Sequence, residues 1–171
     1  MNLASEITHP RVRTVGEAAD SLSMQAYIVG GYVRDLFLER PSKDIDFVTV
    51  GSGIDLAQEV ARRISPHTKV NVFRTYGTAQ IKTRGLELEF VGARKESYSE
   101  ESRNPHVSPG SLQDDLNRRD FTINAMAISV NAESFGELLD PFNGIIDLHN
   151  KIIRTPLDPD VTFSDDPLRM M

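Results

Sequence analysis

One alternation constrains this chain more than any other feature. In Lys43-Asp-Ile-Asp-Phe-Val48, Ile45 and Phe47 call for an apolar environment and Asp44 and Asp46 for a polar one. A strand has a side-chain period of two, so one face can enter a core while both carboxylates share the other. Their β-carbons then lie about 7 Å apart. Two like charges so placed repel unless a cation lies between them. Oxygen ligands on a rigid strand suit magnesium, an ion often shared between protein carboxylates and substrate phosphates. The solvated face of an edge strand would carry the same short pattern.

The apolar run Ala26-Tyr-Ile-Val29 just upstream ends in Gly30-Gly31, with Arg34 and Asp35 one helical turn on. Two glycines between a strand and a helix let the backbone approach a ligand closely, and helix N-terminal amides favour an anion there. They also suit a tight turn with no ligand. Arg34 can hold a phosphate or pair with an aspartate. Asp35 reads as a helix residue that orients Arg34 or a neighbour.

Around this pair the chain reads as an α/β (α+β) domain with one mixed sheet flanked by helices. Thr14-Val-Gly-Glu17 matches a capping box and predicts a first helix from about Val15 to Met24. Ala26 to Val29 and Ile45 to Thr49 read as strands, and Tyr32 to Leu38 as a helix stopped by Pro41. Ala57, Val60, Ala61 and Ile64 form one helical stripe, with Ser52 or Asp55 as cap. Val70 to Phe73, Thr78 to Lys82 and Leu86 to Val91 follow as strands. Lys95 to Asn117 shows no period and is expected to be a long functional loop. Phe121 to Ala127 reads as a short helix and Ile128 to Val130 as a strand. Asp140 to Gly144 is a turn, after which Ile145 to Leu148 and Ile152 to Arg154 close the ordered part.

Two further stretches could carry chemistry. Glu89 stands opposite Leu88 and Phe90 on its strand, with Glu87 as a rival on the same face. If that strand neighbours Asp44 and Asp46, three acids converge, a set that suits two magnesium ions. Arg118-Arg-Asp-Phe-Thr-Ile-Asn-Ala-Met126 places two arginines and an aspartate before apolar residues. Asp120 alone could be a helix cap. Arg118, Arg119 and Asn124 have no such structural excuse; beside the acids, Asp120 or Asn124 could bond a ribose hydroxyl and the arginines a phosphate. The four histidines have no metal-ligand spacing, and Arg62 and Arg63 fit the polar face of a helix.

Composition narrows the classes. The chain has 171 residues and no cysteine, which excludes disulfides and thiolate metal sites and fits a cytoplasmic protein. Nothing approaches a membrane span or a signal peptide. A net charge of −6 argues against gripping nucleic acid by bulk charge. Ser164-Asp-Asp166 followed by Pro167 looks like a helix start so close to Met171 that the chain reads as part of something longer.

Taken in order, these motifs resemble those of class II tRNA nucleotidyltransferases and bacterial poly(A) polymerases. Gly30-Gly-x-Val-Arg-Asp35 with Asp44-x-Asp46 is similar to their first motif, and Arg118-Arg-Asp-Phe-Thr-x-Asn-Ala125 to their second. Asp140-Pro-Phe-Asn-Gly-Ile-Ile-Asp-Leu148 with Ile153-Arg154 is similar to the stretch that follows it in that family, and Asp165-Asp-Pro-Leu-Arg169 to their Glu-Asp-x-x-Arg motif. The resemblance implies a polymerase-β-like catalytic head over residues 1–155 and the start of a truncated α-helical neck over 156–171. It implies metal-dependent, template-independent transfer of CMP or AMP from CTP or ATP to an RNA 3′ end, most simply that of tRNA. Asp44 and Asp46 would be magnesium ligands, with Glu89 as the third acid. Gly30, Gly31 and Arg34 would hold the triphosphate, and Arg118 would contact phosphate. Arg119, Asp120 and Asn124 would sit at the ribose, and Asp166 and Arg169 would read the base. Lys95 to Asn117 would be the family's flexible loop. The family's glutamate is Asp165 here, one methylene shorter. Poly(A) synthesis, or a catalytically idle nucleotide- or RNA-binding module, would keep the same head.

Overall fold

The computed structural model describes residues 1–83, 85–99 and 102–170; side chains at 96–99, 102–107, 165 and 167 lie outside the description. In chain order the elements are α1 (Pro10–Ser21), β1 (Gln25–Val29), α2 (Gly31–Phe37), β2 (Asp44–Val50), α3 (Gly53–Ile64), β3 (Asn71–Phe73), β4 (Thr78–Thr83), β5 (Leu86–Gly92), β6 (Arg94–Ser99), β7 (Ser102–Pro109), α4 (Leu112–Asn117), β8 (Ala127–Ser129), β9 (Leu138–Leu139), α5 (Gly144–Asn150) and α6 (Pro159–Asp165). Seven strands form one mixed sheet in the order β3-β4-β5-β2-β1-β8-β9, while β6 and β7 form a separate two-stranded sheet. Within the large sheet β2 and β5 run parallel and the other pairs are antiparallel. β2 is therefore central, so its two aspartates do not belong to an edge strand.

The alternation sorts the two faces. Ile28, Ile45, Phe47, Ile81, Leu88 and Phe90 point into the main core, beneath Val12, Val15 and Ala19 of α1 and Leu56, Ala57 and Val60 of α3. Burying each large apolar side chain contributes about 1.5–3 kcal/mol. Phe47 and Phe90 stack across β2 and β5 with ring centroids 5.3 Å apart. α1 lies so close to the sheet that a β-carbon on Gly16 would fall 2.0 Å from the Val130 carbonyl oxygen. The opposite face has only a small apolar cluster, Val29, Val48, Ala93, Leu116 and Ala127. α4 supplies its Leu116; the rest of that face carries Asp44, Asp46, Glu87 and Glu89.

Several boundaries differ from the sequence reading. α1 begins at Pro10, not near Val15, because proline suits the first helical position and His9 Nδ1 accepts the Arg11 N–H at 3.2 Å. It ends at Ser21, before Ser23 turns left-handed at φ 55°. The expected long loop is a hairpin of β6 and β7 followed by α4. The strands of a separate two-stranded ribbon need no core-facing period and tolerate Pro105 and Pro109. The expectation of a flexible loop rests partly on residues 100 and 101, which lie outside the described residues. Phe121 to Ala127 holds a single 3-10 turn at Thr122–Asn124, and the strand after it starts at Ala127. Near the C-terminus the helix is α6, capped by Asp158 with Pro159 in first place, so Ser164 lies near its end. Asp166 is extended before Pro167, as a residue preceding proline prefers. The reading of the Asp165 side chain, and of the chain end at Met171, lies outside the described residues.

Candidate functional site

β1 delivers Gly30 beside the aspartates. Val29 pairs with Asp46, so the residue after it arrives at the Asp46 side chain. Gly30 has φ 72° and ψ −137°, a conformation open to glycine and costly for other residues. A β-carbon there would sit 3.7 Å from Asp46 Oδ2 and 3.1 Å from Arg119 Nη1. Gly30, Asp46 and Arg119 thus border one space. Gly31 opens α2, and a β-carbon on it would lie 3.5 Å from Arg34 Nη2. α2 has seven residues, so positive charge near the glycines comes mainly from the two arginines.

β5 brings the other acids. Glu89 stands opposite Asp46 and Glu87 opposite Asp44. Burial pushes the Asp46 carboxyl up from the ordinary carboxylate value; Arg119 opposes this, and Asp44 and Glu87 add to it. Burial, then Asp46 and Glu87, push Glu89 up as well. Glu87 is occupied by Lys82 at 3.1 Å and by the Gln80 amide. That leaves Glu89 as the carboxylate open toward Asp46. The expected convergence of three acids is met in strand register only: among the described residues no group of three His, Asp or Glu side chains is arranged to hold one ion. Glu87 is drawn away toward β4 by Lys82 and the Gln80 amide.

The Arg118–Asn124 stretch joins the site from the side of α4. Arg34 Nε donates to Asp35 Oδ1 at 2.9 Å, and Arg34 Nη1 to Asn124 Oδ1 at 2.9 Å. Asn124 Nδ2 donates to Asp120 Oδ1 at 3.1 Å. Asp120 Oδ1 also accepts the Phe121 N–H at 2.7 Å, so Asp120 holds its neighbour and the Asn124 amide and does not cap a helix. Asp35 fixes Arg34, as its place on the helix predicts.

Asp166 and Arg169 are not brought to the acids. Arg169 Nε lies 3.7 Å from Asp166 Oδ2 and its Nη1 donates to the Thr162 carbonyl at 3.2 Å. Among the described residues no hydrogen bond or ion pair joins either to Asp44, Asp46 or Glu89.

Sequence reasoning missed Asp115 and Asp147. Asp115 on α4 is fully buried and binds both Arg118 and Arg119. Its signal was an acid three and four residues before two arginines, readable only once 112–117 is a helix. Asp147 on α5 accepts the Thr122 hydroxyl at 2.7 Å and Arg154 Nε at 3.0 Å, tying the 3-10 turn to the segment after α5. Asp140 starts α5 by accepting the N–H groups of Gly144 at 2.6 Å and Ile145 at 3.0 Å.

This arrangement can bind an anion beside a cation: carboxylates on a central strand, a side-chain-free approach at Gly30, and guanidiniums opposite. The poly(A) polymerase head domain matches residues 26–154. An A-adding tRNA nucleotidyltransferase of Aquifex aeolicus is 51% identical over 148 residues, which is 86% of this chain and 18% of that protein. A CCA-adding enzyme of Anoxybacillus flavithermus is 43% identical over 149 residues, 86% of this chain and 35% of that protein. Among solved structures, a tRNA nucleotidyltransferase complexed with a primer tRNA and an incoming ATP analog is 47% identical with a TM-score of 0.78, covering 91% of this chain and 42% of that one. A CCA-adding enzyme in an apo form reaches a TM-score of 0.86 at 35% identity, covering 99% of this chain and 41% of that one. The chain therefore spans well under half the length of these relatives. Among the described residues no helix is long and apolar enough to cross a membrane.

Proposed function

The chain belongs to the family of the poly(A) polymerase head domain, and we propose that it is the catalytic head of a template-independent nucleotidyltransferase that adds CMP or AMP to tRNA 3′ ends and releases pyrophosphate. The observation that carries this reading is the shared border of Gly30, Asp46 and Arg119 at the centre of one sheet, with a β-carbon position on Gly30 3.1 Å from Arg119 Nη1 and 3.7 Å from Asp46 Oδ2. An anionic substrate and a cation find opposite charges there within a few ångströms. The relatives named for A addition and CCA addition support tRNA over other RNA, and with no cysteine in the chain we place the activity in the cytoplasm.

Magnesium fits the donors present. Asp44 and Asp46 offer oxygen, and the like charges around the half-buried Asp46 favour a cation beside it. Two aspartate oxygens on one strand suit an ion that keeps waters and takes substrate phosphate oxygens. When bound, it supplies activation of the attacking hydroxyl and neutralisation of the leaving pyrophosphate.

The chain's own residues do the remainder. Gly30 and Gly31 admit the triphosphate, which Arg34, Arg118 and Arg119 hold by charge-assisted hydrogen bonds. Asp120 and Asn124 accept and donate at the ribose hydroxyls, and Glu89 hydrogen-bonds water or the incoming hydroxyl. Asp166 and Arg169 read the base edge once the turn that carries them lies over the sheet. The RNA 3′-oxygen bonds to the α-phosphorus, the bond from that phosphorus to pyrophosphate breaks, and the hydroxyl proton passes to water.

The test offers the whole protein that carries this chain three tRNAs, ending before CCA, after C and after CC, with CTP or ATP. Incorporation should stop at the completed end, require a divalent cation, and vanish in Asp44→Asn and Asp46→Asn. Turnover of Asp46→Asn within about tenfold of wild type, under about 1.4 kcal/mol of barrier, would remove the metal role. Long A tails would make it a poly(A) polymerase. Nucleotide binding without incorporation would make it a binding module.

A further inference from the structure

Asp115 contributes nothing to the open face directly, yet both its oxygens are fully engaged. It is fully buried. Its Oδ1 accepts from Arg118 Nε at 3.1 Å and Nη2 at 2.6 Å. Its Oδ2 accepts from Arg119 Nε at 3.1 Å and Nη2 at 2.8 Å. One carboxylate thus holds two guanidiniums. The edge of Arg119 that Asp115 leaves unused is Nη1, the atom beside Gly30. A planar guanidinium gripped by two of its nitrogens has a fixed direction for the third.

We propose that Asp115 is a positioning residue, which aims Arg119 at the triphosphate and keeps it from closing onto Asp46. The inference rests on the reading that the space between Gly30 and Asp46 takes a nucleoside triphosphate. Held by Asp115, Arg119 stands ready for phosphate at no cost of ordering when the nucleotide arrives. Released, it would be free to close on Asp46, whose charge it already feels across the space at Gly30, and mask the anion that the metal needs. Burial alone would push the Asp115 carboxyl up, but Arg119 and Arg118 outweigh it and keep it ionised below the ordinary range.

The whole protein tests this with ATP as the probe. Asp115→Asn keeps the shape and removes the charge. KM for ATP should rise about tenfold or more, as expected for loss of charge-assisted hydrogen bonds, while kcat falls by less. In an Arg119→Ala background the same change should add clearly less than it costs in the wild type, because Asp115 then acts on phosphate only through Arg118. Arg119→Lys retains the charge and loses the two-nitrogen grip, so it should raise KM as well; this variant leaves the buried Asp115 with Arg118 and keeps the fold. Independent, multiplying losses for Asp115→Asn and Arg119→Ala would overturn the proposal, and so would an unchanged KM in Arg119→Lys. If Arg119→Ala itself left ATP binding intact, the triphosphate reading would fall and this inference with it.

Discussion

Both halves of the Asn124 amide already hold a partner, and each keeps capacity for one more bond. Its oxygen takes the Arg34 proton and its nitrogen gives to Asp120, while Arg34 is gripped from the other side by Asp35. A line of four residues, Asp35, Arg34, Asn124 and Asp120, therefore orients the groups assigned to phosphate and ribose. Asp120 retains accepting capacity on Oδ2, where the Asn124 contact is longer, 3.3 Å. Removing it in Asp120→Ala should raise the use of deoxynucleotides relative to ribonucleotides, because the lost acceptor bonds a hydroxyl only the ribose has. Competition between ATP and dATP in the addition assay measures this. Unchanged selectivity would leave Asp120 with a purely local task, holding the Phe121 N–H and the Asn124 amide.

At the scale of elements, the sequence shows strands with one buried face and the helices α2 and α3, the second with an explicit stripe and Ser52 cap. β2 and β5 were legible because Ile45, Phe47, Leu88 and Phe90 must enter a core, which forces Asp46 and Glu89 onto the other side. Parallel pairing of these two strands was not legible, since no local pattern records which strand lies beside which. α4 was hidden for another reason. Its six residues are too short for a clear period, yet its cap was in plain view: Ser111 Oγ accepts the Asp114 N–H at 3.2 Å and Asp114 Oδ2 accepts the Ser111 N–H at 2.8 Å. The same kind of signal at Thr14 was false, because Pro10 had already started α1 upstream. Capping residues mark a helix start only where nothing earlier has begun one. Since α4 carries Asp115, its cap matters to the site. Ser111→Ala should cost about 0.5–2 kcal/mol, seen as a lower Tm in calorimetry, and should raise KM for ATP with little effect on kcat. A stability loss with unchanged KM would detach the cap from the site.

Across the whole molecule, the main core and the open acidic face lie on opposite sides of one sheet, and the molecule's carboxylates respond to pH in opposite senses. Asp46 and Glu89 are raised, chiefly by burial. The folded state binds their protons more tightly than the unfolded one, so as pH rises through their folded values the molecule loses stability. Asp115 is lowered, because two guanidiniums overcome its burial, and Asp147 is lowered first by the Thr122 hydroxyl and then by Arg154. Their contribution is fully present above the unfolded carboxylate value and is lost as pH falls below it, through the folded values. Without divalent cations, Tm should therefore rise as pH is lowered from neutrality toward the ordinary aspartate value of 3.8, and fall below it. Magnesium should raise Tm at neutral pH and flatten the first limb, because the cation replaces the proton as partner of Asp46. Asp46→Asn should do without either, showing a higher metal-free Tm at neutral pH, by about 2–4 °C per kcal/mol relieved, and no response to magnesium. Calorimetry across pH with and without magnesium decides it: if Asp46→Asn melts lower than wild type in the absence of metal, the like-charge strain assigned to the open face is not there, and Asp46 is held by its neighbours instead of being poised for a cation.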